Sequence, residues 1–397
     1  MSRPPVTATG SGDQRGSGQH AAANRRAADG VRCMLMRGGT SKGLFFLASD
    51  LPRSPADRDA LLLAIMGSGH PLQVDGVGGA HPLASKVAIV SRSAGGDADI
   101  DYLFLQLGVD QVMITDRQNC GNILAAVGPF AAERGLIAAG EESTTTRITM
   151  VNSGSVVTAT FATPGGVPDY SGRTEIAGVP GTAAPVLLRF TDTAGSATGS
   201  LLPTGQVQDV IDGVAVTCVD NGMPVVVARA ADFGLTGAES PDDLAGNHEV
   251  TARVQALRIK AGKLMGLGDV TGLSVPKTTL VSAPRDGGTI CTRTFIPVRP
   301  HTAIGVLGAV SVATALLLPG GVGTDLALLG GQFVDVEHPS GHLEVEVGLD
   351  TSVSPPRVLS AGVVRTARKL FDGTVYPASY PPTRQDTSQG NPGPEPS

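Results

Sequence analysis

"TAIGVLGAVSVATALLLPG" (302–320) carries no charged side chain, so a helix wound from it is apolar on every side. Such a helix must be covered all round. Lipid is not the expected cover, because the chain has no apolar run of 18 residues and no transmembrane helix is predicted. A curved β-sheet is the remaining wrapper. A second run of the same kind, "NILAAVGPFAAERGL" (122–136), lies about 180 residues earlier. The helical runs 122–134 and 302–318 therefore predict two similar halves, each a sheet around one central helix, with the midpoint near residue 190. The halves show no clear residue identity, so the repeat rests on pattern alone.

The intervening chain reads as strands. "KVAIVSR" (86–92), "DIDYLFLQLGV" (99–109), "STTTRITMVNSGSVVTATFAT" (143–163), "APVLLRF" (184–190), "VAVTCVDNGMPVVVARA" (214–230), "KTTLVSA" (277–283) and "HLEVEVGL" (342–349) are β-branched or alternate apolar with polar. Two further helices are predicted. "SPADRDALLLAIMG" (54–67) opens with Ser54 and Pro55, and "DDLAGNHEVTARVQALRIKAGKLMG" (242–266) is the other. The expected class is α+β, with halves 31–190 and 191–376 and the last segment able to pack back on the N-terminal half. Residues 1–30 lack the apolar centre of a signal peptide and read as a disordered leader. Residues 377–397 read as a disordered tail.

Composition narrows the function. Glycine is 53 of 397 residues, about 13% against roughly 7% in average usage, so tight turns and close backbone approaches are expected. Net charge is −6, no long basic run exists, aromatics are 4% and Trp is absent, so no nucleic-acid partner is expected. The four cysteines form no Cys-x-x-Cys pair, so neither a zinc site nor a redox dithiol is expected, and a reduced, cytoplasmic setting is.

Cys120 stands at the start of the run 122–136, between Asn119 and Gly121-Asn122. A helix N-terminus carries partial positive charge and unpaired N–H groups. A thiol there is more thiolate-like, and the same N–H groups can hold a carboxylate or enolate oxygen. Cys33, Cys218 and Cys291 lie within strand-like runs and read as inert. "MRGGTSKGLFF" (36–46) crowds Arg37, Thr40, Ser41 and Lys42 around three glycines, a loop suited to an anion, but not with P-loop spacing. "DGVGGAHPLASKVAIV" (75–90) delivers Lys86 at a strand entrance, where a cleft with nearby cations would let it act as a base. "EHPSGH" (337–342) spaces two histidines four apart, but Pro339 and Gly341 forbid a helix and no third ligand is evident. No metal is expected there. Neither Gly-x-Ser-x-Gly nor Gly-x-Gly-x-x-Gly after a strand occurs, so hydrolase and dinucleotide readings lack support.

"MLMRGGTSKGLFF", "DGVGGAHPLASKVAIVS", "QNCGNILAAVGPFA", "DNGMPVVVARAADFGLTGAE", "VPKTTLVSAP", "HTAIGVLGAVSVATA" and "EHPSG" together resemble the PrpF family of 1,3-allylic isomerases and tautomerases. The resemblance covers essentially all of 31–376, in order. Within the family, "CVDNGMPVVV" and "IGVLGAVSVATA" look most like the 4-oxalomesaconate tautomerases. The resemblance implies a diaminopimelate-epimerase-like fold of two barrel-like halves with the active site between them. It implies an acid/base pair at Lys86 and Cys120. It also implies a carboxylate-binding loop at Thr40, Ser41 and Lys42, helped by Asn119, Gly121 and Asn122, with Lys277, His301 and Ser340 from the second half. The second helix, expected to open at His301-Thr302, has no cysteine, so a symmetric two-thiol racemase is disfavoured. The implied reaction moves a proton and a double bond in an unsaturated di- or tricarboxylate without cofactor or metal. The alternatives are a 2-methylaconitate cis–trans isomerase and a non-catalytic anion-binding accessory protein. Expected partners are a small polycarboxylate, with no nucleic acid and no membrane; a homodimer is left open.

Overall fold

The computed structural model describes residues 30–116 and 120–378. The expected leader and tail lie outside the described residues apart from Gly30, Pro377 and Ala378, and so does Asn119.

The first half opens with a hairpin, β1 (Val31–Gly38) and β2 (Ser41–Leu47). Helix α1 (Pro55–Met66) follows, capped by Ser54, which accepts from the Asp57 N–H, and closed by a left-handed Gly67. Then come β3 (Lys86–Arg92), β4 (Ile100–Leu107) and the short β5 (Ile114–Thr115). The apolar run 122–136 forms two pieces, α2 (Gly121–Leu124) and α3 (Val127–Glu133). Pro129 explains the break: it has no N–H for the Ala125 carbonyl and its ring crowds that group. Strands β6 (Ser143–Met150), β7 (Ser155–Ala162) and β8 (Pro185–Phe190) complete this part.

The second half repeats the order. It runs β9 (Asp209–Ile211), β10 (Val214–Asp220), β11 (Pro224–Arg229), α4 (Pro241–Gly246), α5 (His248–Leu264), β12 (Lys277–Ser282) and β13 (Ile290–Phe295). Asn247 splits the expected helix 242–266 and caps its second piece by accepting from the Val250 N–H. Helix α6 (Val306–Leu317), β14 (Phe333–His338), β15 (Gly341–Asp350) and β16 (Arg357–Val375) follow. Helix α6 begins at Val306 with Gly305 as its cap, four residues later than expected, so His301-Thr302 does not open it.

The strand order is β1-β2-β3-β4-β6-β7-β8-β16, and β16 pairs back to β1, closing an eight-stranded ring. From β16 the sheet continues through β15-β14-β13-β12-β11-β10-β9. In the first ring β2 and β3 are parallel and β3 and β4 antiparallel; β11–β12 and β12–β13 repeat this. Helices α2 and α3 pack inside the first ring, and α6 packs inside the second sheet. The interior is one apolar cluster holding Phe45, Phe104, Phe130, Val310, Val312 and Leu316. Helices α1 and α5 pack on the outsides: Leu62 and Ile65 against Phe46 and Val87, and Val254 and Leu257 in a cluster with Cys218 and Leu280. The fold is α+β, two barrel-like halves each around an apolar helix. Among the described residues, no helix is long and apolar enough to cross a membrane.

Candidate active site

Lys86 shares its face of β3 with Ala88 and Val90, which belong to the interior, so the lysine enters the mouth of the first barrel from above that core. It is 6% exposed. Its Nζ donates to Gln106 Oε1 at 2.6 Å and lies 5.1 Å from the centre of the Phe104 ring. The Gln106 amide is oriented by its own NH₂, which donates to the carbonyls of Pro82 and Ser85, both at 3.1 Å. Among the described residues no carboxylate pairs with Lys86. A Cβ on Gly43 would lie 2.5 Å from the Lys86 carbonyl oxygen, so only glycine lets β2 pass this close.

Cys120 caps α2 with extended backbone, and its side chain makes no capping hydrogen bond, which leaves the half-buried thiol available. Its carbonyl accepts from Leu124 N–H at 3.0 Å and from Tyr102 Oη at 3.4 Å. Tyr102, Phe104 and Gln106 are alternate residues on one face of β4. Cys120 is held to Tyr102 through its carbonyl, and the Lys86 ammonium lies over Phe104, the next inward residue along β4. Asn152 ties down the approach to Cys120. Its amide donates to the carbonyls of Asp116 (2.7 Å) and Phe104 (2.8 Å), and its oxygen accepts from Phe104 N–H. The other thiols are different: burial pushes Cys33 up to about 11 and Cys218 up to about 12, and Cys291 is buried against the Gly237 carbonyl.

The Gly38-Gly39 turn lies directly on the start of α2. Gly39 has φ +51°, and a Cβ there would fall 2.2 Å from Asn122 Oδ1. The close approach lets Asn122 Nδ2 donate to Thr40 Oγ1 at 3.0 Å. Two buried polar atoms beside this turn, Ser41 Oγ and Asn122 Oδ1, have no hydrogen-bond partner among the described residues. Unsatisfied buried polar atoms cost about 1–3 kcal/mol each, and a bound ligand can offset that.

Between the halves is a cleft of about 490 Å³, lined by Gly121 and Asn122 from the start of α2 and by Gly305 to Gly308 from the start of α6. At Gly121 and at Gly305 a Cβ would meet nothing within 4 Å, so both helix starts face open space. The N–H groups of a helix's first turn have no partner within the helix and carry partial positive charge. Lys277 also lines the cleft. Burial, with the Arg258 guanidinium adding to it, lowers the Lys277 pKa. Arg258, on α5, holds the segment leading to Lys277 by donating to the carbonyls of Val270, Leu273 and Val275.

The structure therefore brings Lys86, Cys120, Thr40, Ser41, Gly121 and Asn122 to one end of the first barrel, with Lys277 across the cleft. Three expected residues lie elsewhere. Lys42 falls on the outer face of β2 with Leu44 and Phe46, opposite to Gly43 and Phe45. His301 is exposed, its Nδ1 accepting from Ala303 N–H at 2.9 Å, and the Ser340 hydroxyl donates to the Thr302 carbonyl. Both shape the loop before α6. His338 and His342 do not converge on one point: His338 Nδ1 accepts from Ser340 N–H, while His342 is held by Asp335 and Asp286. Gln106, Tyr102, Asn152 and Arg258 were not anticipated. Gln106 had a signal, a polar residue at an inward position of "YLFLQL".

A buried lysine and a half-buried thiol at one barrel end, beside a positively polarised cleft, on two barrel-like halves each around a helix, fit the equipment of an isomerase. The chain belongs to the PrpF family, whose sequence model, described as "PrpF protein", matches residues 29–378. It is 54% identical over 354 residues to the (4E)-oxalomesaconate Delta-isomerase of Novosphingobium sp. (strain KA1), covering 88% of this chain and 98% of the relative. It is 52% identical over 348 residues to the 4-oxalomesaconate tautomerase of Pseudomonas putida, covering 87% and 95%. Among solved structures it is similar to a methylitaconate-delta-isomerase, with a TM-score of 0.81, 32% identity, and coverage of 91% of this chain and 99% of that one.

Proposed function

We propose that the chain is a 4-oxalomesaconate tautomerase, moving a proton and a double bond within an unsaturated tricarboxylate. The observation that carries this reading is the opening of both helix starts into one cleft, with Lys277 on its wall. A ligand with several carboxylates can meet both helix dipoles and a cation at once. Identities above 50% to an oxalomesaconate isomerase and an oxalomesaconate tautomerase support the choice of substrate.

In the proposed reaction, one of Lys86 and Cys120 removes a C–H proton beside a carbonyl or conjugated carboxylate. The electron pair shifts toward that carbonyl and forms a dienolate. Its oxygen is held by N–H groups at the start of α2 and by Ser41 Oγ, donors already in place before charge develops. The other member of the pair returns a proton at the far carbon, or at oxygen in a keto–enol exchange. Net atoms and charge are unchanged, so the step needs no oxidant or reductant. The reading includes a cytoplasmic setting, supported by four free cysteines, and neither nucleic acid nor membrane as partner.

The test is ultraviolet absorbance of the purified protein with oxalomesaconate, methylaconitate and aconitate. Fast change with oxalomesaconate alone is the expected result. Turnover confined to methylaconitate would replace the reading with an isomerase of that substrate, and no turnover of any of the three would overturn it.

A further inference from the structure

Arg368, Arg37 and Lys42 stand side by side on three adjacent strands: Arg37 is the cross-strand partner of Arg368 on β16 and of Lys42 on β2. Like charges placed directly opposite each other destabilise a sheet. All three line one depression of about 680 Å³, walled by Tyr170 and by the loop 178–183. Its three cations stand on the outer face of the first barrel, away from the face that carries Lys86, and Thr40 and Ser41 form its edge toward the barrel mouth. Among the described residues that line it there is no Asp or Glu. The neighbouring cations are treated differently. Lys369 pairs with Glu133 at 2.6 Å, and Arg134 with Asp372 at 2.7 Å, so counter-ions are supplied one step away. Arg37 has one nitrogen engaged by Gly39, Thr366 O and Thr366 Oγ1, and burial together with Arg368 lowers its pKa.

We propose that this depression is a second binding site, for a small polycarboxylate, separate from the cleft. Guanidinium forks match carboxylates in pairs, and strands about 4.8 Å apart spread the three cations over roughly 10 Å. A di- or tricarboxylate spans that width, whereas a single phosphate reaches only two of the three. The site meets the reaction centre along one edge, where Ser41, whose hydroxyl holds the dienolate in the proposed reaction, lines it together with Thr40. Thr40 lines its wall, as does Gly178 of the loop, and accepts the Asn122 hydrogen bond at the start of α2.

Calorimetric titration with citrate and with inorganic phosphate tests the site. Citrate should bind wild type in two classes and the Lys86→Ala protein with the second class intact. Adding Arg368→Glu to that protein should weaken the remaining class about ten- to hundredfold, the loss expected for one charge-assisted contact. Arg368 is exposed, so the single variant should fold and keep wild-type turnover without added citrate. Phosphate should bind the site at least tenfold more weakly than citrate. Citrate binding unaltered by Arg368→Glu would overturn the proposal, and so would phosphate binding as tight as citrate. Neither result bears on turnover in the cleft, so this site and the proposed reaction can fail separately.

Discussion

Lys86 and Lys277 hold the same place in the two halves. Each is the first residue of a strand that runs parallel to the second strand of the preceding hairpin, Lys86 level with Gly43 and Lys277 level with Val225. Each strand follows an outer helix and precedes an antiparallel partner. The cap positions differ: Cys120 caps α2, while Gly305 caps α6. One half therefore brings a lysine and a thiol, and the other a lysine only.

Different outcomes follow for the two lysines. Lys86→Ala should lower kcat on the order of 10²–10⁴-fold, the usual worth of a positioned acid or base. Lys277→Ala should act mainly on KM. The lowered Lys277 pKa means its proton is lost at a lower pH than an ordinary lysine's. KM should therefore rise on the alkaline side before pH 10.5, and Lys277→Arg, charged throughout, should flatten that rise. Steady-state kinetics across pH in the three variants checks this, and equal kcat losses for both lysines would contradict it.

The loop 40–42 divides in the same way. Ser41 has a buried hydroxyl without a partner beside Asn122, whereas Lys42 is on the outer face. Ser41→Ala should lower kcat/KM about tenfold, the loss of one hydrogen bond to a charged group. Lys42→Ala should lower it less. A larger effect at Lys42 would return the loop's cation to the substrate.

How much of this was legible in the sequence follows from the residues themselves. The apolar runs around Val310 and Phe130 announce buried helices, because a helix without a polar face has no other place in water. They announce the repeat, but its residue-level trace is short: Lys-x-x-Ile-Val-Ser at 86–91 and Lys-x-x-Leu-Val-Ser at 277–282 align only once strand positions are known. Strand β16 does not declare itself as one element, since "RVLSAGVVRTARKLFDGTV" has no clean alternation. It changes environment along its length, pairing with β15 and β8 first and with β1 later. The outward turn of Lys42 was hidden because a glycine-rich turn does not declare the register of the strand it feeds.

Stability should depend on Asn221. Fully buried, it accepts from Thr193, donates its amide to Thr314 Oγ1 at 2.8 Å, and donates its N–H to Ser311 Oγ at 3.0 Å, fastening the β10–β11 turn to α6. Asn221→Ala leaves the Thr193 and Thr314 hydroxyls without these partners. A cost of about 2–4 kcal/mol is expected if each is worth 1–2. Urea denaturation checks it, and a midpoint unchanged from wild type would mean that water replaces the amide.

His338 should make stability pH-dependent. Burial first, then the charges of His342, Arg365 and His301, hold its pKa down to about 4, against 6.5 for a free histidine. Between those values the unfolded chain binds the extra proton, so the contribution is full above pH 6.5 and is lost as pH falls toward 4. His338→Gln should flatten the fall in melting temperature across that window. An identical slope in the variant would assign the fall to other groups.

Cys120 gives the last and sharpest expectation. Its thiol caps α2 without making a capping hydrogen bond, so replacing sulfur should leave the helix as it is. Cys120→Ser keeps nearly the same size but puts the proton on a hydroxyl, far more weakly acidic than a thiol. The variant should melt within a few degrees of wild type and lose turnover on the order of 10²–10⁴-fold. Combining it with Lys86→Ala should cost much less than the product of the single losses, because two groups that hand one proton across a substrate act as a unit. Alkylation supplies a second readout. Cys33, Cys218 and Cys291 are buried, so iodoacetamide should label Cys120 first, and a bound tricarboxylate in the cleft should slow the labelling. If Cys120→Ser turns over oxalomesaconate at the wild-type rate, the thiol is a helix cap alone and Lys86 must both remove and return the proton.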